Sequence, residues 1–471
     1  MKKTSIKMVL AAIQIGTLLT GCSAVKDTSS VTDNSTTVSS ESYIESITAN
    51  TADTTNSNAF SSSTENTTSK DSASKQSESK TETKTETSSE KSTEITLNTS
   101  GVIDTTDMFS SRDLSQTADT KDAKALTVSD GKTIEITEEG VYIISGTAKN
   151  CTIKVNTEST EKVQLVLDGV SITNESMPAI YVVSADKCFI TTTESENTLT
   201  VTGTFTADSD TNTDAVIFSK DDIVLNGLGT LNISSSNNGI SCKDDLKITG
   251  GTYNITSTSD AIEANDSIRI YDGTFTINSS KDGLHCENDD DDTKGYIFIT
   301  GGTLNIKASS DGIQGTTYTQ IDGGTINVTS SEGIESTYIQ INNGTVSVTA
   351  TDDGINASQK SKSIGTPTVE ITGGSVTITM SGGDVDCIDS NGNIVVSGGT
   401  VTITYPAQAP SESFDCDGTA TYTGGTIIIN GEQVDSIPQS MMGGGGPGDM
   451  GGGFGGGPGG FGNRPGAAFN F

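Results

Sequence analysis

Asn238-Gly239-Ile240, followed by Leu246-Lys247-Ile248-Thr249-Gly250-Gly251-Thr252-Tyr253-Asn254-Ile255, is a phrase that this chain repeats in varied form. An acidic or amide residue, a small residue and an apolar one lead. A short strand, a Gly-rich turn and a second strand follow. The phrase returns as Asp260-Ala261-Ile262 with Ile268-Arg269-Ile270-Tyr271-Asp272-Gly273-Thr274-Phe275-Thr276-Ile277. It returns again as Asp282-Gly283-Leu284 with Ile299-Thr300-Gly301-Gly302-Thr303-Leu304-Asn305-Ile306. Asp311-Gly312-Ile313, Glu332-Gly333-Ile334, Asp353-Gly354-Ile355, Asp386-Cys387-Ile388 and Asp415-Cys416 continue the series, which Asp214-Ala215-Val216 opens. The step is about 22 residues, the size of one solenoid coil, with insertions at 287–294 and 359–367. A propeller blade needs about 40.

Alternation within each phrase turns Leu246/Ile248, Ile268/Ile270, Ile339/Ile341 and Ile394/Val396 inward, and likewise Tyr253/Ile255, Phe275/Ile277, Val346/Val348 and Val401/Ile403. Like stacks on like, so no coil is stable alone. The expected fold is all-β, a right-handed parallel β-helix over 99–440. The stretches Ile134-Glu135-Ile136 and Gly140-Val141-Tyr142-Ile143-Ile144 read as irregular first coils capping it.

Composition agrees and excludes much. Among 471 residues there is no Trp, one His and 5% aromatics, with 61 acidic residues against 27 basic ones and a net charge of −34. Nucleic-acid binding lacks its cationic footprint. Sugar platforms of Trp and chemistry resting on several His are ruled out as well. The cationic start and the apolar run Met8–Leu19, too short to span a bilayer, end in Leu19-Thr20-Gly21-Cys22. That ending reads as a lipoprotein signal over 1–22, with a lipid on Cys22. Diacylation would hold the mature chain at the outer face of the cell membrane, its sole membrane contact. Residues 23–98 are Ser/Thr-rich and expected to be a disordered spacer, and 441–471 a Gly-rich disordered tail. The signal carries +3, the spacer −6 and the tail none, so −31 of the net −34 belongs to the middle.

That charge falls in columns. In-register coils set equivalent residues about 4.8 Å apart. Asp221, Asp244 and Asp266 hold equivalent or adjacent offsets, with Asp222 and Asp245 beside them; Asp260, Asp282, Asp311, Glu332 and Asp353 form a leading column. Two carboxylates about 5 Å apart repel by roughly 3 kcal/mol at an effective dielectric near 20. They must splay into water, keep protons or hold a cation. Calcium, which takes six to eight oxygens, is the fitting ion. The insertion Glu287-Asn288-Asp289-Asp290-Asp291-Asp292 is a further oxygen-rich candidate, through Asp290 and Asp292. For the leading column, turn chemistry, in which Asp accepts backbone N–H bonds, is the competing explanation.

Tyr318 and Tyr338 share an offset, as a stacked surface for a sugar ring or as a ladder that only stabilises the coils. Cys242 and Cys286 share a small inward slot two coils apart, too far for a disulfide, whereas Cys387 and Cys416 read as equivalent in adjacent coils and able to bridge. Arg269 is the one Arg in the repeats, and His285 follows Asp282. Without a partner constellation, these groups and the Asp352-Asp353 and Asp386/Asp389 pairs fit repeat chemistry better than catalysis.

Gly140-Val141-Tyr142-Ile143-Ile144-Ser145-Gly146, Leu165-Val166-Leu167-Asp168-Gly169-Val170, Pro178-Ala179-Ile180-Tyr181, Ser219-Lys220-Asp221-Asp222-Ile223 and Asn238-Gly239-Ile240-Ser241-Cys242-Lys243-Asp244-Asp245-Leu246 resemble the bacterial carbohydrate-binding β-helix family across roughly 110–430. The resemblance implies a secreted or surface protein with a pectate-lyase-like fold. It further implies binding of cellulose or acidic sugars such as polygalacturonate, bound calcium and no catalysis. A tethered, monomeric, calcium-dependent polysaccharide-binding protein is therefore the leading expectation. A structural surface adhesin or wall-organising protein is the second reading, and a polysaccharide lyase or hydrolase the outsider.

Overall fold

The computed structural model describes residues 103–438, apart from 289, 383–384 and 407–410. The signal with Cys22, the spacer and the tail lie outside these residues. The described chain is all-β, without a helix. The apolar residue of each leading triplet lies in a strand of its own, which the sequence reading did not expect, so each repeat contributes three. One repeat runs Asn238–Cys242, Asp245–Ile248 and Thr252–Ser257; the next runs Ile262–Ala264, Ser267–Ile270 and Thr274–Ser279. Leading strands form a 12-stranded sheet, and second and third strands together a 24-stranded one. Every pairing from repeat to repeat is parallel and in register, for example Leu246↔Ile268 and Tyr253↔Phe275. The antiparallel pair Thr426–Ile429 with Glu432–Val434 ends the stack.

The core is a set of ladders, as alternation requires. Ile240, Ile262, Leu284, Ile313, Ile334, Ile355 and Ile388 follow one another down the leading strands, each fully buried. Each such side chain contributes about 2–3 kcal/mol of apolar transfer. Tyr253 stacks on Phe275 at 5.1 Å between ring centroids, and its hydroxyl donates to the Gly250 carbonyl.

The corner between second and third strands needs glycine twice over. Gly302, Gly324, Gly344, Gly374, Gly399 and Gly425 all hold positive φ between 73° and 94°. A Cβ at Gly324 would also lie 3.0 Å from the Gly301 and Gly302 carbonyl oxygens. Gly324→Ala is expected to cost about 2 kcal/mol in chemical denaturation, the range for forced backbone strain. A loss under 0.5 kcal/mol would contradict this account of the corner.

Candidate functional site

Two polar columns run along the outer face of the leading strands. The first holds Asn238, Asp260, Asp282, Asp311, Glu332, Asp353 and Asp386. The second, three residues later, holds Glu263, His285, Gln314, Glu335, Asn356, Asp389 and Asp415, successive partners in the ladder.

The first column is partly structural. Asn238 Oδ1 accepts the Asp260 backbone N–H, Asp260 Oδ1 that of Asp282, and Asp282 Oδ1 that of Asp311, each at 3.0 Å. Asp353 Oδ1 accepts the Asp386 N–H at 3.3 Å. The carboxylates thus do bind backbone, as turn chemistry proposes, but across repeats and not within one turn. Charge-assisted bonds of this kind are the stronger class.

The remaining carboxylate oxygens converge in four clusters, in each of which three groups offer atoms within 4.8 Å of one another. Three clusters contain a cation supplied by the chain. In the first, His285 Nδ1 lies 3.2 Å from Asp282 Oδ2 and 3.5 Å from Asp260 Oδ2, and Nε2 lies 3.1 Å from Glu287. Lys281 stands 3.0 Å from Asp260. Burial works against the imidazolium, but hydrogen bonds to Asp260 and Asp282 carry its pKa up to about 10. Burial likewise opposes the Asp282 charge, and bonds from His285 and the Asp311 N–H still bring it down to about 2.

In the second cluster, Asp244, Asp245 and Asp266 gather at the corner between leading and second strands. Lys294 reaches Asp266 at 2.5 Å and Arg269 reaches Asp245 at 2.7 Å. Burial and a hydrogen bond with Asp266 push Asp244 up to about 8. Asp222 sits beside Asp245 with Lys187 at 3.5 Å; burial and Asp245 raise it to about 6. In the third cluster, Lys360 lies 2.7 Å from Glu335. Burial, then Glu335 and Asp311, still lift Glu332 to about 8.

The two insertions explain themselves here. Each loop carries a lysine, Lys294 or Lys360, back onto an acidic cluster. They also clasp one another: the Ser361 and Ser363 hydroxyls both donate to the Asp292 carbonyl.

The fourth cluster is different. Asp386, Asp389 and Asp415 meet with Asp353 and Glu412 nearby, and among the described residues no basic side chain pairs with any of them. Burial and then Asp353, Asp386 and Asp415 push Asp389 up to about 7; burial, Asp353 and Asp415 push Asp386 up to about 6. An all-carboxylate donor set of this density fits calcium. The other three clusters fit it less well, since ammonium, guanidinium or imidazolium groups already stand among their oxygens.

Of the ten acids expected to hold metal, Asp244, Asp245 and Asp266 meet at the corner, Asp282 and Asp311 enter two clusters on the leading face, and Asp353 borders the fourth. Asp222 joins the corner network. Asp221 does not: its Oδ2 accepts the Ala185 N–H at 2.9 Å. Asp290 and Asp292 are exposed and enter none of the four clusters; Asn288 and Asp291 fold that loop through local turns. Glu263, Glu335, Asp389 and Asp415 were missed as a column. The position just after each apolar triplet member was their signal.

Tyr318 and Tyr338 do lie side by side in adjacent repeats, their ring centroids 5.8 Å apart, but the planes are tilted by 39° and not stacked. Tyr318 is however buried in a small apolar cluster with Ile103, Met108, Tyr296, Phe298 and Ile364, so the pair offers no open platform. The expected equivalence of Cys387 and Cys416 also fails. Cys416 pairs in register with Ser390, in the inward slot of Cys242 and Cys286, while Cys387 precedes Ile388. All six described cysteines are free.

The family model described as "Carbohydrate-binding domain-containing protein" matches residues 130–384 and 330–436. A protein of Acetivibrio thermocellus carrying that description is 38% identical over 122 residues, which are 25% of this chain and 43% of the relative. The match thus spans less than half of that relative's length. A solved structure described as the polysaccharide lyase-like protein from C. thermocellum, gadolinium derivative, is 31% identical, with 45% of this chain and 93% of that one covered and a TM-score of 0.43.

Proposed function

The chain belongs to the carbohydrate-binding domain-containing protein family, and from that premise we propose that it is a non-catalytic, calcium-dependent polysaccharide-binding protein. Its ligand is cellulose or an acidic plant-type sugar such as polygalacturonate. It binds as a monomeric right-handed parallel β-helix, lipid-anchored through Cys22 at the outer face of the cell membrane. The observation that carries this reading is the outer face of the leading strands. Carboxylates, amides and one imidazolium recur there at the coil spacing, the pattern of hydrogen-bonding groups that an extended glycan meets.

Calcium at Asp386, Asp389 and Asp415 would supply a charge that joins protein carboxylates to uronate carboxylates. The chain's own part is to hold these three oxygens convergent and, among the described residues, to pair no basic side chain with them. A binding role, and not catalysis, is supported by the state of the two basic groups a lyase would draw on. His285 is pinned as a cation between carboxylates, and Arg269 is buried against Asp245.

The test is a glycan array run in calcium and again in chelator. Retention of uronate or cellulose chains in calcium, weakened about tenfold or more by chelator or by Asp389→Asn, is the expected result. Equal binding to every glycan together with adhesion to protein ligands would favour the adhesin reading. Release of unsaturated or reducing ends from pectin would overturn the non-catalytic one.

A further inference from the structure

The outer face of the second strands is covered by the chain's own residues 103–117, a strap without regular strands. Ile103 N–H donates to Gln320 Oε1, Phe109 meets Tyr271 and Phe298, and Arg112 lies 4.3 Å over the Phe189 ring. Gln116 accepts the Gly227 N–H and donates to the Thr249 carbonyl. At the centre is Asp113, 1% exposed, with Oδ2 3.2 Å from Lys247 Nζ and Oδ1 4.0 Å from Lys187 Nζ. Lys247 is the ladder neighbour of Arg269.

Beneath the strap, three cations (Lys187, Lys247 and Arg269) face two carboxylates of the coils, Asp222 and Asp245. One positive charge is left over in a domain that is otherwise strongly negative, and the strap supplies the single carboxylate that matches it. The match is incomplete. Asp113 Oδ1 has no hydrogen-bond donor, and Arg269 Nε, on a side chain more than nine-tenths buried in the residue as a whole, has no acceptor among the described residues.

We propose that Lys187, Lys247 and Arg269 form a binding site for the carboxylate of a uronic-acid residue, and that Asp113 occupies it as an internal stand-in until the strap lifts. The site lies on a different face from the leading-strand columns. It rests on the polysaccharide-binding reading above, of which it names a second subsite for acidic chains. It is gated by polar contacts at its own end of the strap: Asp113 and Gln116 there can exchange for a ligand of the same chemistry, while Ile103, Met108 and Phe109 anchor the other end in apolar contacts.

The experiment uses the full chain and a galacturonic-acid hexamer as the probe, with its methyl ester and a cello-oligosaccharide as controls. In the variant Arg112→Ala, Asp113→Ala, Gln116→Ala, amide exchange across 103–117 is expected to speed up. Affinity for the hexamer is expected to rise about tenfold, as removal of an internal competitor requires, and neither control gains. Adding Lys247→Met cancels the gain. If the hexamer binds no better in the opened variant, or the uncharged controls gain as much, the proposal is overturned. That outcome leaves the functional reading standing as long as the wild-type protein still retains polysaccharide on the array. Loss of all polysaccharide binding by the wild type defeats the functional reading instead.

Discussion

Raising the pH of the metal-free protein from 5 to 8 is expected to lower its melting temperature by about 10 °C. The sign follows from where protons sit. Glu332 and Asp244 titrate at about 8, Asp389 at about 7, and Asp222, Asp311 and Asp386 at about 6, all raised chiefly by burial. In the unfolded chain carboxyls lose their protons near 4. Between those values the folded protein holds protons that the unfolded one has shed, so stability falls as pH climbs. His285, raised to about 10, adds the same slope above the ordinary histidine range. Asp282 works the other way, but only in acid, between about 2 and its ordinary value. Because several of these groups are partly open to water, each counts for about 1 kcal/mol at most. Six of them reach about 5 kcal/mol, and a domain of this size shifts by about 2 °C per kcal/mol. Calcium is expected to restore part of the loss at pH 8 and almost none at pH 5, where protons already fill the oxygens. A melting temperature that stays flat or rises across this range in chelator would show that the columns are neutralised in some other way.

Replacing His285 by Gln is expected to destabilise the protein by about 3–5 kcal/mol, the cost of removing one partner from a buried ion pair. Asp260 and Asp282 are 4% and 1% exposed, and without the imidazolium they share only Lys281, itself half in water. Adding Asp282→Asn to that variant should recover part of the loss, since one buried charge disappears while its Oδ1 still accepts the Asp311 N–H. Denaturant titration of the two variants reads this directly. A cost below 1 kcal/mol for His285→Gln would mean that the cluster is solvated.

The repeat and its interior were legible because stacking demands like on like. Ile268/Ile270 and Phe275/Ile277 announce inward faces by period two, and Gly301-Gly302 announces a corner. The leading strand was not, because Asp282-Gly283-Leu284 is too short for alternation to show and its first residue resembles turn chemistry. The acidic columns were visible, but what neutralises them was not. Lys294 and Lys360 sit in insertions, where spacing carries no register, and only the folded loops bring them to Asp266 and Glu335. Tyr318 misled for a related reason. Its equivalence with Tyr338 is real, yet the strap that buries it comes from some two hundred residues upstream.

The clasp between the two insertions has a consequence for how the stack comes apart. In a solenoid each coil touches only its neighbours, so a stack can fray one coil at a time from either end. Here the hydroxyls of Ser361 and Ser363 hold the Asp292 carbonyl, which ties the coil of Leu284–Cys286 to that of Ile355–Ala357 across two intervening coils. Those four coils are bound to open together. The molecule should therefore unravel as a cooperative central block with looser ends, and not as a row of independent units.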